Sequence, residues 1–167
     1  DLGFKGAFSR TAELLASSDE PVFEAAFSTP GGLSLADVIL PAGAGENGRS
    51  WRMVEVKSST SVKDYHRDDI AFQAYLARCN GVDLQAVALA HIDNTFVYPG
   101  GGDYHGLLCE EDLTEEAFSR SAEVEDWLHG AHEVAGMDDV PDVETGPQCG
   151  RPFICPFAAH CNQGKPA

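Results

Sequence analysis

Three strand-forming runs in quick succession, the first two each closed by a strong backbone breaker, constrain this chain more than any other feature. Residues 21–28 (PVFEAAFS) stop at Thr29-Pro30-Gly31-Gly32. Residues 33–40 (LSLADVIL) stop at the Gly-rich stretch 41–50 (PAGAGENGRS), and residues 51–58 (WRMVEVKS) follow. Short apolar runs separated by Gly and Pro clusters predict an antiparallel meander. A helix is predicted before it, over 6–17. A second is predicted after it, over 64–79, closed by Asn80-Gly81. Residues 84–91 (LQAVALAH) and 95–98 (TFVY) predict two further strands around an Asp93-Asn94 turn. A last helix is predicted from Thr114 to about residue 133, its leading acids Glu115 and Glu116 complementing the helix dipole. The order α-β-β-β-α-β-β-α implies an α/β fold, one domain with a central mixed sheet flanked by helices. From 136 onward the chain is rich in Pro, Gly and Cys with little periodicity. Residues 1–135 therefore read as the core and 136–167 as a cysteine-rich cap packed on it.

Charge sets the next constraint. The 167 residues carry a formal charge of −16, which argues against a general nucleic-acid coat protein, because phosphate contacts need Lys and Arg. The distribution softens that objection. Arg49, Arg52, Lys57, Lys63, Arg67 and Arg78 lie close together, whereas the stretch 110–144 is crowded with acids and has Arg120 as its one base. A local basic zone beside an acidic helix suits one strand bound at one site. No apolar run approaches the ~20 residues that span a bilayer, and no basic-then-apolar leader opens the chain, so a cytoplasmic protein with no membrane partner is expected. The first residue is Asp1 rather than Met, so the chain is expected to be a piece of a longer protein with further domains.

The chemistry gathers between the second strand and the following helix. Asp37 interrupts an apolar strand, and Glu55-Val56-Lys57 sits on the next one. Side chains two apart on a strand share a face, so Glu55 and Lys57 project together, and a hairpin would bring Asp37 beside them. Carboxylate oxygens suit Mg²⁺ or Mn²⁺. Such an ion polarises a phosphate and activates water, while the Lys57 ammonium orients that water or neutralises developing charge. On the helix, His66, Asp69 and Gln73 recur at spacings of three and four and form one ridge. Lys63, His66 and Arg67 are candidate phosphate contacts.

LADVIL, WRMVEVKSS and DDIAFQAY together resemble the PD-(D/E)XK nuclease superfamily, in its RecB-like exonuclease branch. The resemblance implies a restriction-endonuclease-like core, with Asp37 and Glu55 as metal ligands and the Val56 carbonyl as a third. It also implies Lys57 as the catalytic lysine and Gln73 as the supporting glutamine. The chain departs from that pattern twice. The branch usually places Tyr four residues after the Gln, whereas here position 77 is Ala and Tyr75, also a candidate substrate contact, falls on another helix face. An upstream metal-binding His is absent, and Glu24 is the candidate substitute.

The five cysteines are an odd number and do not close a disulfide framework. Cys149, Cys155 and Cys161 fall close together among prolines and aromatics, a pattern suited to soft-metal ligation. Zinc, with His160 or Cys109 as fourth ligand, is one assignment. His160 is the weaker choice, because it adjoins Cys161. The resemblance adds another, since some RecB-like nucleases hold a 4Fe–4S cluster with a C-terminal cysteine trio and one distant N-terminal cysteine. By that resemblance the longer protein would carry such a cluster. The expected function is a Mg²⁺- or Mn²⁺-dependent nuclease acting on nucleic acid, DNA exonuclease activity foremost. The alternative is an inactive nuclease-type module used for binding nucleic acid or protein.

Overall fold

The computed structural model describes residues 3–45 and 48–162. The chain divides into two compact units, residues 1–129 and 130–167. The first is an α/β unit. Helix α1 (Gly3–Ser17) is followed by strands β1 (Val22–Thr29), β2 (Gly32–Gly43) and β3 (Ser50–Lys57). Helix α2 (Asp64–Cys79), strands β4 (Leu84–Ile92) and β5 (Leu108–Asp112), helix α3 (Thr114–Ser119) and the first part of helix α4 (Ser121–Ala135) complete it. The five strands form one mixed sheet in the order β1-β2-β3-β4-β5. β1, β2 and β3 form an antiparallel meander, β3 and β4 are parallel, and β4 and β5 are antiparallel. A parallel pair needs a long crossover, and α2 supplies it.

α2 forms where its sequence repeats apolar residues at helical spacing, with Asp64 in the first turn and Arg78 in the last to complement the dipole. The buried face carries Ile70, Ala71, Ala74, Leu76 and Ala77. It packs with Phe27, Ile39, Trp51, Met53, Val87 and Leu89 of the sheet in one apolar cluster. Each fully buried large side chain there is worth roughly 1.5–3 kcal/mol over exposure. Thr11 on α1 accepts the Ala26 N–H at 2.9 Å through its hydroxyl, which ties α1 to the edge strand β1.

Three sequence expectations are corrected. Residues 95–98 are not a strand. Asp93 Oδ1 accepts hydrogen bonds from the Thr95 amide at 2.8 Å and hydroxyl at 2.7 Å, and the Phe96 amide bonds back to the Asp93 carbonyl. That turn spends the backbone groups a strand would need, and the fifth strand forms at Leu108–Asp112 instead. The last helix is broken at Arg120, where the Ser119 and Ser121 hydroxyls bond to the Glu116 and Phe118 carbonyls three residues back. β2 also runs on through Pro41 to Gly43, with a register shift there. β1 starts opposite Ile39, so Pro41 lies where β2 has no neighbour on that side and its missing N–H costs no ladder bond.

The second unit begins within α4. It contains a 3₁₀ turn, Pro147–Cys149, and a short helix α5, Ala158–Cys161. The Cys155 amide donates to the Cys149 carbonyl at 2.8 Å, and the Thr145 hydroxyl to Asn162 Oδ1 at 2.9 Å. No helix among the described residues is long and apolar enough to cross a membrane.

Candidate active site

β2 and β3 run in register from Val38↔Val54 onward, and one step further along that register sets Asp37 opposite Glu55. Asp37 Oδ2 accepts the Val56 N–H at 2.8 Å, so a side chain takes over where the backbone ladder stops. On β3, Trp51, Met53, Glu55 and Lys57 alternate onto one face. The first two lie in the apolar cluster, and Glu55 is buried at 5% exposure. Lys57 Nζ donates to Glu55 Oε1 at 2.7 Å and to Asp69 Oδ2. Gln73 Nε2 donates to Asp69 Oδ1 at 3.2 Å. The expected ridge of His66, Asp69 and Gln73 therefore lies along α2 with Asp69 and Gln73 joined to the β3 pair, and His66 and Gln73 are buried.

Two oxygens in this cluster, Glu55 Oε2 and Gln73 Oε1, are buried without a hydrogen-bond partner. Such atoms are costly unless something pairs with them. Burial pushes the Glu55 carboxyl above its usual range. Lys57 opposes that shift, while repulsion from Asp37 and Asp69 adds to it. Burial would pull the Lys57 ammonium down, but its bonds to Asp69 and Glu55 hold it above its ordinary value. The two carboxylates thus favour the charged form of Lys57. Burial lowers His66, with Lys57 and Lys63 adding to the effect. His66 Nδ1 accepts the Lys63 amide at 3.3 Å.

A divalent cation suits this arrangement. It would pair the orphaned Glu55 oxygen and relieve the repulsion among Glu55, Asp37 and Asp69. Among the described residues no three His, Cys, Asp or Glu side chains are grouped to hold a metal ion. The donors for a cation would be two carboxylates and a main-chain oxygen, with water and substrate filling the rest, as Mg²⁺ prefers. Cys149, Cys155 and Cys161 are free and half-buried, and they are not gathered into a metal-holding group.

Other expected contacts lie elsewhere. Arg67 is paired with Glu111 and Glu116, and the Tyr75 hydroxyl donates to Glu125 at 3.0 Å, so neither is brought to the cluster. The basic zone is largely neutralised from within. Arg49 pairs with Asp19 and Arg52 with Glu110, Arg78 lies over the Phe118 ring, and Lys63 lies over the Tyr65 ring. Phe23↔Val38 and Ala25↔Ala36 flank Glu24, so it stands opposite Asp37 with φ at 53°, the one described non-glycine residue in the left-handed region. Sequence reasoning missed His91, which pairs with Lys57 in the β3–β4 register and lies 3.4 Å from Cys109 Sγ. It also missed Asp69 as the partner of Lys57, although the four-residue step to Gln73 carried that signal. No protein-family model matches the chain, and no curated protein matches it.

Proposed function

We propose that this chain is a Mg²⁺- or Mn²⁺-dependent nuclease of the PD-(D/E)XK type, acting on DNA. The observation that carries the reading is the buried Glu55, with Asp37 and Lys57 beside it and one carboxylate oxygen without a partner. Asp37, Glu55 and the Val56 carbonyl would hold the cation, which when bound polarises a phosphate oxygen and activates water. Lys57, held protonated by Glu55 and Asp69, would place a positive charge against the phosphoryl oxygens as negative charge builds there. Asp69 and Gln73 keep that ammonium in position. An inactive binding module is the second reading. The internal pairing of Arg49, Arg52 and Arg67 favours it, because few cations are left to hold a phosphate backbone.

Labelled single- and double-stranded DNA and RNA, incubated with Mn²⁺ or with chelator, separate the two. The nuclease reading expects metal-dependent cleavage that falls at least a hundredfold in Asp37→Ala and in Lys57→Ala. Folded wild type that is inert on all four substrates would leave only the binding module. For the cysteines, we propose an iron–sulfur cluster, with zinc as the competing occupant. This rests on the spacing of Cys149, Cys155 and Cys161. Visible absorbance together with iron, sulfide and zinc analysis of anaerobically purified protein checks it.

A further inference from the structure

The connection from β4 to β5, residues 93–107, leaves the sheet at the end where Lys57 stands. His91 pairs with Lys57, the Ile92 amide donates to the Ser59 carbonyl at 2.8 Å, and the Asp93 amide donates to the Leu107 carbonyl at 2.8 Å. The base of this loop is thus fastened to the segment that follows the candidate catalytic lysine. Above it, Tyr98 and Tyr104 stack with ring centroids 5.0 Å apart and planes 18° from parallel. Gly102 donates its amide to the Tyr98 hydroxyl at 2.8 Å, and Gly100, Gly101 and Gly102 take positive φ values that let the chain fold back tightly. The loop is therefore built to hold the two rings together. It nevertheless leaves them in water, Tyr98 at 48% and Tyr104 at 60% exposure.

We propose that this stacked pair is a platform for an unpaired base of a single-stranded nucleic acid on its way to the Asp37–Glu55–Lys57 cluster. The proposal rests on the nuclease reading and deepens it by naming the substrate class. An aromatic pair already ordered in the free protein accepts a base on its outer face without the entropy cost of arranging the rings. Stacking also suits this chain's charge. At a net charge of −16, with its central arginines engaged by carboxylates, phosphate attraction is a poor source of affinity. Contact with base faces is the source that remains. A duplex keeps its base faces covered, so the platform selects single strands or frayed ends.

The test uses a short labelled oligothymidylate, an abasic oligomer of equal length and charge, and a duplex, with binding read by fluorescence anisotropy in chelator. Wild type is expected to bind the oligothymidylate about tenfold more tightly than the abasic oligomer or the duplex. Tyr104→Ala should erase that preference, and Tyr104→Phe should keep it. In Mn²⁺, Tyr104→Ala should raise KM for single strands and leave kcat near wild type. Equal affinity of wild type for base-bearing and abasic strands, or a preference that survives Tyr104→Ala, overturns the platform. The two ideas fail separately. A base preference in a protein that never cleaves keeps the platform and removes the nuclease. Asp37-dependent cleavage with no effect of Tyr104→Ala does the reverse.

Discussion

β3 and α2 meet twice on the same face of the sheet, and the two meetings are built from opposite materials. At one end Trp51 and Met53 lie in one apolar cluster with Leu76 and Ala77. At the other, two and four residues further along β3, Glu55 and Lys57 meet Asp69 and Gln73, and two buried oxygens are left unpaired. Strand, helix and sheet face are shared, so secondary structure cannot explain the difference. The apolar end supplies the stability that lets the polar end keep a buried carboxylate with an unsatisfied oxygen. A fold that breaks local rules in one place while obeying them a few residues away is the pattern on which the proposal of a site there rests.

The largest expected effect comes from the apolar end. Met53 is fully buried in the cluster, and Met53→Ala should cost about 2–5 kcal/mol through lost burial and a residual cavity. Urea unfolding measures it, and the loss should be the same with Mn²⁺ as with chelator. A Met53→Ala loss that Mn²⁺ reverses would break the division of labour between the two ends.

At the polar end the expected sign is the opposite, and it depends on pH. The folded-state value of Glu55 is raised, chiefly by burial. The neutral form is therefore favoured by folding. This contribution is fully present below the unfolded carboxyl range and is lost as pH rises through the folded value. Glu55→Gln keeps the shape and removes the titration. In chelator it should therefore gain on wild type as pH climbs from 4 toward 8 in urea titrations. Added Mn²⁺ at a hundredfold over its Kd should restore about 2.7 kcal/mol to wild type and nothing to Glu55→Gln. Parallel pH curves for the two proteins would show that Glu55 is an ordinary solvated acid.

The polar end was also the more legible of the two in sequence. Period-two alternation fixed the shared face of Glu55 and Lys57, the breaker at 41–50 forced a hairpin, and α2 forms over the span its spacing predicts, Asp64–Cys79. What stayed hidden depends on long-range pairing. Arg67 looks like a phosphate contact until β5 and α3 bring Glu111 and Glu116 to it. Thr95–Tyr98 has strand composition, yet one Asp93 carboxylate captures the backbone first. His91 reads as a strand end until the parallel register sets it beside Lys57. The four-residue step from Asp69 to Gln73 was visible, but not that Asp69 anchors the lysine.

Glu24 gives the smallest and sharpest test of the comparison. It stands across β1–β2 from Asp37 with φ at 53° and an exposed side chain. An L-residue in the left-handed region costs on the order of 1 kcal/mol, which glycine does not incur. Glu24→Gly should therefore stabilise the fold by roughly 0.5–1 kcal/mol, read as a higher urea midpoint at unchanged slope. If the strain serves the site, the gain should come with weaker Mn²⁺ stabilisation, because Glu24 is the one carboxylate that β1 places opposite Asp37. Greater stability with Mn²⁺ binding intact would make the strained residue a feature of strand geometry alone. The polar end of the sheet would then be defined by Asp37, Glu55, Lys57 and Asp69 without help from the edge strand.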